Sequence, residues 1–411
     1  MEIKKPQHHP SPYYQKKGDD LLVAGLPVRM IAGIAGQTPF YVYDRSIINT
    51  KITEFREHIP ERIHLHYAIK ANPHPAVVNH LANRVNGLDI ASQKELIVAL
   101  NSGMSPSEIS FAGPGKSEVD IHAAINAGIT LNVESETELS RATEYAKTQG
   151  VKARVAIRVN PDFELKSSGM KMSGGPKQFG IDAEKVAEII RQMDLSAIEY
   201  MGLHIFSGSQ NLNCNAIIDA HNKTFELARR LVKDSEVPLL KLNIGGGFGI
   251  PYFPGEMPLD LAPIGDNLRQ LLRDYQDVFS DTEIVIELGR FLVGESGLYV
   301  SKINDIKESR GQSFWMTDGG LHHHLANSGN FGQVIRKNYP VCVATKASTA
   351  PSVVTNIVGP LCTPLDILAD KYLLPEAQIG DLVAIFQSGA YGPTASPLGF
   401  LSQPGVVELL L

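Results

Sequence analysis

The composition of this chain describes a protein with a large core and no strong charge bias. It has 411 residues, of which 43% are hydrophobic, and this is more than one domain of ordinary size needs. The 38 basic and 44 acidic residues form no long like-charge blocks, which argues against an electrostatic nucleic-acid surface and favours small-molecule partners.

The first predicted elements follow a polar N-terminal stretch. Residues 1–20 lack the apolar core of a signal peptide, and we expect them to be flexible. PFYVYD at 39–44 has the β-branched and aromatic content of a strand. We therefore assign residues 21–44 to strands that join a C-terminal sheet.

A regular alternation of strands and helices occupies the middle of the chain. β-rich runs alternate there with segments whose apolar residues recur at helical spacing. Eight βα units in roughly 230 residues predict a closed (β/α)8 TIM barrel, which we place at residues 45–292. The eight runs are IHLHYAIK, NGLDI, EISFAG, ITLNVES, ARVAIRVN, YMGLHIFSG, LLKLNIGGG and TEIVIELGR.

The last part of the chain has a different texture. From residue 293 to 411, β-rich runs such as SGLYVSKINDIKES and SVVTNIVG are separated by Gly, Ser and Pro turns, which predicts an antiparallel β-sandwich or barrel domain. No uninterrupted apolar run in the chain approaches the ~18 residues of a membrane span. Three scattered cysteines, Cys214, Cys342 and Cys362, suit neither a disulfide framework nor a zinc site, so we expect a cytoplasmic protein without metal or membrane contact.

Candidate chemical residues lie where predicted barrel strands end. Functional side chains of TIM barrels come from the carboxyl ends of the strands, and this position lowers the alternative that Lys70 is only a solvated rim lysine. The residues at these ends are Lys70, Asp89, Ser209, the glycines of 245–249, Glu287 and Arg290.

Three of these features together indicate pyridoxal phosphate. The run Gly245–Gly249 can cradle a phosphate with its backbone N–H groups, although a plain tight loop explains the glycines alone nearly as well. Glu287 and Arg290 could form only a structural ion pair. With Lys70 available for a Schiff base, however, a carboxylate for the pyridine nitrogen and an arginine for the phosphate complete a pyridoxal-phosphate site.

Nine motifs, in order, give the chain a family resemblance from about residue 38 to its C-terminus. They are YAIKAN, GLDIASQKEL, RVNPD, KQFGI, GLHIFSGSQ, NIGGGFG, ELGR, GPLCTPLD and SGAYG. The chain resembles the fold-type III pyridoxal-phosphate decarboxylases, the diaminopimelate and ornithine decarboxylase family, whose plan is an alanine racemase-like barrel with a β domain. It is most similar to the exosortase A system-associated branch, through DFELKSSGMKMSGGPKQFG, GGLHHHLANSGNFGQVIRKNYP and GAYGPTASP.

The resemblance implies a role for each matching residue. Lys70 would carry the internal aldimine of pyridoxal 5′-phosphate, and Glu287 would face the pyridine nitrogen. Cys362 of a partner subunit would protonate the quinonoid carbon after carbon dioxide leaves, which implies a homodimer with shared active sites; a buried inert thiol is the alternative. The other implied cofactor contacts are Asp89, Ser209, Gly246, Gly247, Arg290 and Tyr391.

The cofactor-stacking position departs from the family pattern. Phe206 stands where the family usually has a histidine that stacks on the cofactor ring. Phe206 can still stack but cannot hydrogen-bond. His204, on the same side of the strand, either supports the cofactor or packs in the core, and the sequence leaves both open.

Two further departures concern the substrate. Thr363 replaces the glutamate of the Cys-Glu-Ser-Gly-Asp motif of diaminopimelate decarboxylases, and Ala326 occupies the position of their substrate-reading arginine. We assign Asp318, His322 and Thr363 to the substrate site. The run His322–His324 is interpreted as a loop that lines the substrate mouth, because consecutive side chains diverge and cannot ligate one metal.

The activity expected is α-decarboxylation of an amino acid or an amino-acyl conjugate, which could be linked to a carrier. Diaminopimelate decarboxylation in lysine biosynthesis is the first alternative. A catalytically silent cofactor-binding regulator is a second, and the presence of both Lys70 and Cys362 argues against it. An alanine racemase-like enzyme would need a tyrosine base where this chain has Cys362.

Overall fold

A computed structural model describes residues 6–163, 170–171, 174–233, 237–329 and 336–411. Parts of two branch-specific motifs, at 164–169, 172–173 and 330–335, lie outside the described residues. The chain divides into two compact units. The barrel unit comprises Lys51–Ile250 and Leu259–Phe291, and the sheet unit comprises Met1–Thr50, Pro251–Pro258 and Leu292–Leu411.

The described strands and helices are numbered in chain order. The strands are β1 (Lys16–Lys17), β2 (Asp20–Val23), β3 (Leu26–Pro27), β4 (Phe40–Tyr43), β5 (Ile63–Ala68), β6 (Gly87–Ile90), β7 (Ile109–Phe111), β8 (Thr130–Val133), β9 (Ala153–Asn160), β10 (Met170–Lys171), β11 (Ile181–Asp182), β12 (Ile198–His204), β13 (Gly208–Ser209), β14 (Lys241–Gly246), β15 (Glu283–Leu288), β16 (Gly297–Ser309), β17 (Gln312–Thr317), β18 (Val341–Val343), β19 (Val353–Val358), β20 (Ile367–Leu374), β21 (Leu382–Ile385) and β22 (Val407–Leu410). The helices are α1 (Val28–Ala35), α2 (Arg45–His58), α3 (Pro75–Ala82), α4 (Gln93–Asn101), α5 (Glu118–Ala127), α6 (Glu136–Gln149), α7 (Ala183–Gln192), α8 (Cys214–Val232), α9 (Ala262–Asp274), α10 (Gln276–Phe279) and α11 (Arg290–Val293).

The barrel unit is a closed ring of eight parallel strands. The strands pair in the order β5, β6, β7, β8, β9, β12, β14 and β15, and β15 pairs back to β5. Each of the eight predicted strands is present, so the predicted (β/α)8 barrel is confirmed. The short strand β11 adds to β9 outside the ring.

Local sequence explains where the barrel helices begin and end. The side chains of Ser92, Ser117 and Ser135 each accept a hydrogen bond from a backbone N–H in the first turn of α4, α5 and α6. Gly128 and Gly150 end α5 and α6 in the left-handed conformation, with φ of 72° and 67°. These caps return the chain to the amino end of the next strand.

The sheet unit contains a mixed sheet, in contrast to the predicted antiparallel one. β4 pairs antiparallel with β16 and parallel with β22, and β17 pairs parallel with β19. Parallel neighbours need long connections, and the chain supplies them here because β4 and β22 lie near opposite ends of the sequence. The predicted strand at 39–44 does join the C-terminal sheet, as β4.

An apolar cluster holds the sheet unit together. Buried side chains of β2, α1, β4, β16 and β21 pack into it, among them Val23, Ile31, Phe40 and Val300. Within the described part of the chain, no helix combines the length and the hydrophobicity that a membrane span requires.

Candidate active site

Every strand of the barrel contributes a buried polar side chain to its otherwise apolar interior. Such groups are costly to bury unless they bond to one another, and here hydrogen bonds and close ionic contacts link neighbouring strands. The eight residues, in barrel order, are His66, Asp89, Ser110, Asn132, Arg158, His204, Asn243 and Glu287.

Lys70 projects from a short turn at the carboxyl end of β5. Ile69 and Ala71 on either side are buried, whereas Lys70 is exposed. The backbone N–H of Asn72 donates to the carbonyl of Ile69 at 2.9 Å and fixes this turn. Lys70 Nζ lies 5.6 Å from the ring centroid of Phe206. Two predicted cofactor residues from different strands are therefore close together.

Glu287 is a buried carboxylate in a set of close polar contacts. Asn243 Nδ2 donates to Glu287 Oε2 at 3.1 Å, and His204 Nε2 lies 3.3 Å from the same oxygen. Burial by itself raises the pKa of Glu287, but the adjacent His204, together with the charges of Lys70 and Arg158, lowers this pKa below its ordinary value. Glu287 is consequently ionised and can stabilise a protonated ring nitrogen.

The glycines that end and follow β14 pack closely against neighbouring backbone, so side chains would collide there. A Cβ on Gly246 would lie 1.9 Å from the carbonyl oxygen of Glu287, and one on Gly247 would lie 1.9 Å from that of Gly208. Gly247 also has a φ of 75°. The backbone N–H of Asn211 donates to Gly247 O at 2.9 Å, which holds the loop in place.

Asp89, which pairs with Ala68 at the end of β5, belongs to a chain of polar side chains. Ser110 Oγ donates to Asp89 Oδ1, and Asn132 Nδ2 donates to Ser110 Oγ at 3.1 Å. His66 Nδ1 lies 3.4 Å from Asp89 Oδ1. Ser209 lies in β13, which pairs with β10. Arg290 is the first residue of α11, which follows the last barrel strand.

A second group of buried polar side chains in the barrel was not among the predicted site residues. Arg158 Nη1 donates to Glu134 Oε1 at 2.8 Å, and the backbone N–H of Gly113 donates to the same oxygen at 2.7 Å. Glu134 follows β8 and Arg158 lies near the end of β9. Both residues lie at the carboxyl ends of barrel strands, and this position could have identified them from the sequence.

One group in the barrel unit has the composition of a metal site. A ligand atom from each of His66, Glu108 and Glu283 lies within 4.8 Å of the others. Lys241 Nζ, however, lies 2.8 Å from Glu283 Oε1 and 3.6 Å from Glu108 Oε2. Because this ammonium already contacts both carboxylates, we assign no metal, and the absence of a metal site stays a prediction.

The predicted site residues of the sheet unit lie on turns. Cys362 is exposed, so its thiol is not part of the core, and Thr363 Oγ1 accepts from Leu365 N at 3.3 Å. Asp318 accepts from Thr38 Oγ1 and from Lys302 N, the latter at 2.8 Å. Tyr391 is half-buried with a φ of 53°. Their assigned roles stay predictions.

The three adjacent histidines are buried within the sheet unit. His323 Nε2 lies 2.8 Å from the carbonyl oxygen of Pro404, and His324 Nε2 lies 2.9 Å from Ser388 Oγ. His322 is fully buried, yet neither of its ring nitrogens has a hydrogen-bond partner. The burial of all three contrasts with the predicted loop at the substrate mouth.

His324 should make stability depend on pH. Its Nδ1 accepts from Asn327 N at 3.3 Å, so the neutral ring fits and the imidazolium does not. Burial lowers the pKa of His324 from 6.5 to about 3. Below pH 6.5 the unfolded state therefore binds more protons than the folded state, and stability that is complete above this pH is lost as the pH falls toward 3.

We expect His324→Asn to reduce this pH dependence, whatever its effect on absolute stability. The wild-type free energy of unfolding should fall between about pH 6 and pH 4 by up to about 1.4 kcal/mol per pH unit from this group. Denaturant unfolding measured across this pH range gives the slope of the unfolding free energy against pH for the wild type and for the variant. Equal slopes for the wild type and the variant would contradict the assignment.

The barrel geometry fits pyridoxal phosphate and defines a class of enzyme. A lysine at the end of the first barrel strand can hold the cofactor, and the ionised Glu287 suits its ring nitrogen. The backbone N–H groups of the glycine run at 245–249 suit its phosphate. The class is that of pyridoxal-phosphate enzymes built on a TIM barrel.

Comparison with known proteins gives the family. Residues 45–294 match the model of the pyridoxal-dependent decarboxylase pyridoxal-binding domain. The L-glutamyl-[BtrI acyl-carrier protein] decarboxylase of Niallia circulans is 35% identical over 91% of this chain and 89% of its own length. The diaminopimelate decarboxylase of Aquifex aeolicus is 32% identical over 98% and 93%.

A solved structure agrees with this assignment. Diaminopimelate decarboxylase from M. jannaschii in complex with L-lysine superposes with a TM-score of 0.87 at 26% identity, covering 97% of this chain and 93% of that one. The chain belongs to the pyridoxal-dependent decarboxylases. The predicted cofactor and enzyme class, a pyridoxal-phosphate-dependent amino-acid carboxy-lyase, are thereby confirmed.

Proposed function

We propose that this enzyme removes the α-carboxyl group of an amino acid whose distal end is joined to a carrier. The main evidence is the charge of the loop Leu361–Asp366, which contains Cys362. Asp366 is the loop's one charged residue, and both of its carboxylate oxygens accept backbone hydrogen bonds, from Leu321 N at 2.6 Å and Leu361 N at 2.9 Å. The loop therefore offers no free charge to a zwitterionic distal end.

The replaced positions support the same substrate class. Thr363 stands in place of a glutamate and the buried Ala326 in place of an arginine, as the family resemblance aligns them. A distal zwitterion would leave each of its charged groups unpaired, at a cost of about 1–3 kcal/mol or more per group. A neutral or covalently attached distal end avoids this cost.

The chemistry of decarboxylation restricts where a carrier can be attached. The α-amino group must reach the cofactor and the α-carboxyl group must leave, so both have to be free. Attachment is then possible only through the side chain. The related decarboxylase of Niallia circulans, which acts on an L-glutamyl group on an acyl-carrier protein, supports this class.

Residues of the barrel prepare the reaction. Bound pyridoxal phosphate supplies the electron sink for the carbanion that remains when carbon dioxide leaves. Lys70 would hold the cofactor and Glu287 would keep its ring nitrogen protonated. Phe206 would pack against the ring, and Gly246, Gly247, Ser209 and Arg290 would bind the phosphate. Tyr391 of the sheet unit is assigned to the phosphate as well. His204 keeps Glu287 ionised.

We assign the final proton to the Cys362 thiol, which gives it to Cα after carbon dioxide has left. This thiol belongs to a partner subunit in our proposal, so the active form is a homodimer with shared sites. The exposure of Cys362 on the sheet unit supports such a role. His322, Asp318 and Thr363 would contact the substrate.

Diaminopimelate decarboxylation is the second candidate. It is favoured by the 32% identity to the Aquifex aeolicus enzyme over nearly the whole chain. The two candidates differ in the distal group that the site accepts.

Kinetics with matched substrates test the proposal. Glutamate and its side-chain pantetheine thioester differ only at the distal end. We expect kcat/KM for carbon dioxide release to be at least about tenfold higher for the thioester, and meso-diaminopimelate to be a poor substrate. A specificity constant for free meso-diaminopimelate above that of the thioester would restore the second candidate.

Mixed subunits test the shared site. Lys70→Ala and Cys362→Ala subunits, combined after mild dissociation, should regain amine-forming activity in up to about a quarter of the sites, because half of the dimers are mixed and each has one intact site. Each variant alone, treated identically, is the control. No regain above the sum of the controls would place both residues in one subunit or remove one of them from the site.

A further inference from the structure

One buried carboxylate joins two loops of the sheet unit that carry predicted site residues. Asp366 Oδ1 accepts from the backbone N–H of Leu321 at 2.6 Å, and Asp366 Oδ2 accepts from that of Leu361 at 2.9 Å. Leu321 precedes His322, and Leu361 precedes Cys362. One side chain therefore fixes the backbone immediately before His322 and immediately before Cys362.

The surrounding backbone is shaped to admit this carboxylate. A Cβ on Gly320 would lie 2.3 Å from Asp366 Oδ1, and a Cβ on Gly359 would lie 2.3 Å from Asp366 Oδ2. Neither glycine has a positive φ, so close approach rather than backbone conformation requires them. Two loops that are far apart in sequence thus contact the same carboxylate, and each loop has a glycine at the point of contact.

Within the described residues, the other hydrogen bonds of the loop Leu361–Asp366 are short-range ones. Gly359 N donates to Asp366 O at 3.0 Å, Thr363 N donates to Leu361 O at 2.8 Å, and Leu365 lies exposed at the tip. Asp366 is 2% exposed, and its side-chain hydrogen bonds come from backbone N–H groups rather than from a cation. Burial raises the pKa of Asp366, which the two N–H donors partly offset.

We propose that Asp366 is a positioning residue that fixes the Cys362 thiol and the His322 imidazole relative to each other. The inference rests on the proposed function, in which Cys362 protonates Cα and His322 contacts the substrate. Asp366 does not touch the reacting atoms. It acts by holding two loops as one body, so its loss should change where the proton is delivered more than whether cofactor binds.

Asp366→Asn tests this with almost no change in volume. An amide keeps one acceptor oxygen, but its NH2 group faces a backbone N–H, so one of the two loops is released. We expect cofactor absorbance to be retained and the transamination product to increase relative to the amine by about fivefold or more, the change that corresponds to one lost hydrogen bond. Gly320→Ala, which displaces an unchanged carboxylate, should shift the product in the same direction.

Asp381→Asn is the matched control. Asp381 is a buried aspartate of the same unit that accepts from Thr345 Oγ1 at 2.7 Å and Gln378 N at 2.8 Å. Unlike Asp366, it also pairs with a cation, Lys346, whose Nζ lies 3.3 Å from Asp381 Oδ2. Asp381→Asn should lower the unfolding midpoint as Asp366→Asn does but leave the product ratio unchanged. Equal product ratios in wild type, Asp366→Asn and Gly320→Ala would overturn the proposal.

Alkylation of the holoenzyme separates this proposal from the role of Cys362. Mass spectrometry of iodoacetamide-treated protein gives the rate at Cys362 against Cys342, whose pKa burial raises to about 12. Asp366→Asn should change this ratio by about fivefold or more, and Asp381→Asn should not. If Cys362→Ala leaves the product unchanged, the protonation role fails, whereas an unchanged alkylation ratio in Asp366→Asn refutes the positioning role itself.

Discussion

Replacing Lys70 by alanine should abolish decarboxylation, with a loss on the order of a thousandfold or more. The reason is that the chain then lacks the amine that holds the cofactor at the end of β5 and exchanges it for substrate. Lys70→Arg keeps the positive charge near Phe206 but cannot form the covalent link, so it should be equally inactive. Turnover measured as carbon dioxide release gives the loss.

Borohydride reduction identifies the lysine directly. In the wild type, reduction should fix the cofactor to the peptide that contains Lys70, and the visible absorbance of the holoenzyme should disappear. Both variants should lack this modified peptide. Recovery of reduced cofactor on another lysine of Lys70→Ala, with activity retained, would contradict the assignment.

Glu287→Gln should slow decarboxylation on the order of a hundredfold while the cofactor stays bound. A neutral amide cannot stabilise the positive charge of a protonated pyridine nitrogen, so the ring accepts electrons less well. The glycines proposed to bind the phosphate belong to a different strand, so the affinity for the cofactor should persist. Single-turnover rates and cofactor content of the same preparation measure both effects.

Glu283→Gln is the control because Glu283 begins the strand that contains Glu287. Glu283 pairs with Lys241 at 2.8 Å, so its replacement should alter stability without changing the rate constant for decarboxylation. An equal turnover of Glu287→Gln and wild type would remove Glu287 from the proposed chemistry.

The barrel was predictable because its signals are local. Each strand is a short β-rich run, and eight such runs with helices between them have few alternative arrangements. The same rule predicts that Lys70, Asp89 and Glu287 face one ligand, since parallel strands in a barrel present their carboxyl ends together. It also covers Arg158, the first residue of the RVNPD motif, and Glu134, although neither was among the predicted site residues.

The sheet unit was less predictable because its pairings are not local. Nothing in the run FYVY indicates that β4 lies between β16 and the C-terminal β22, so the mixed character of the sheet was missed. The histidine run suggested a loop at the substrate mouth, but partners such as Ser388 and Pro404 bury His324 and His323. The role of Asp366 likewise depends on Leu321, which lies 45 residues away.

The measurement that tests the central claim most directly uses an intact acyl-carrier protein. A carrier loaded with glutamate through its side-chain carboxyl group is incubated with the holoenzyme, and the mass of the carrier is followed together with released carbon dioxide. We predict that the loaded carrier loses one carbon dioxide per molecule, at a rate well above that for free glutamate at the same concentration. A carrier of unchanged mass, with rapid release from free meso-diaminopimelate in the parallel reaction, would contradict the account.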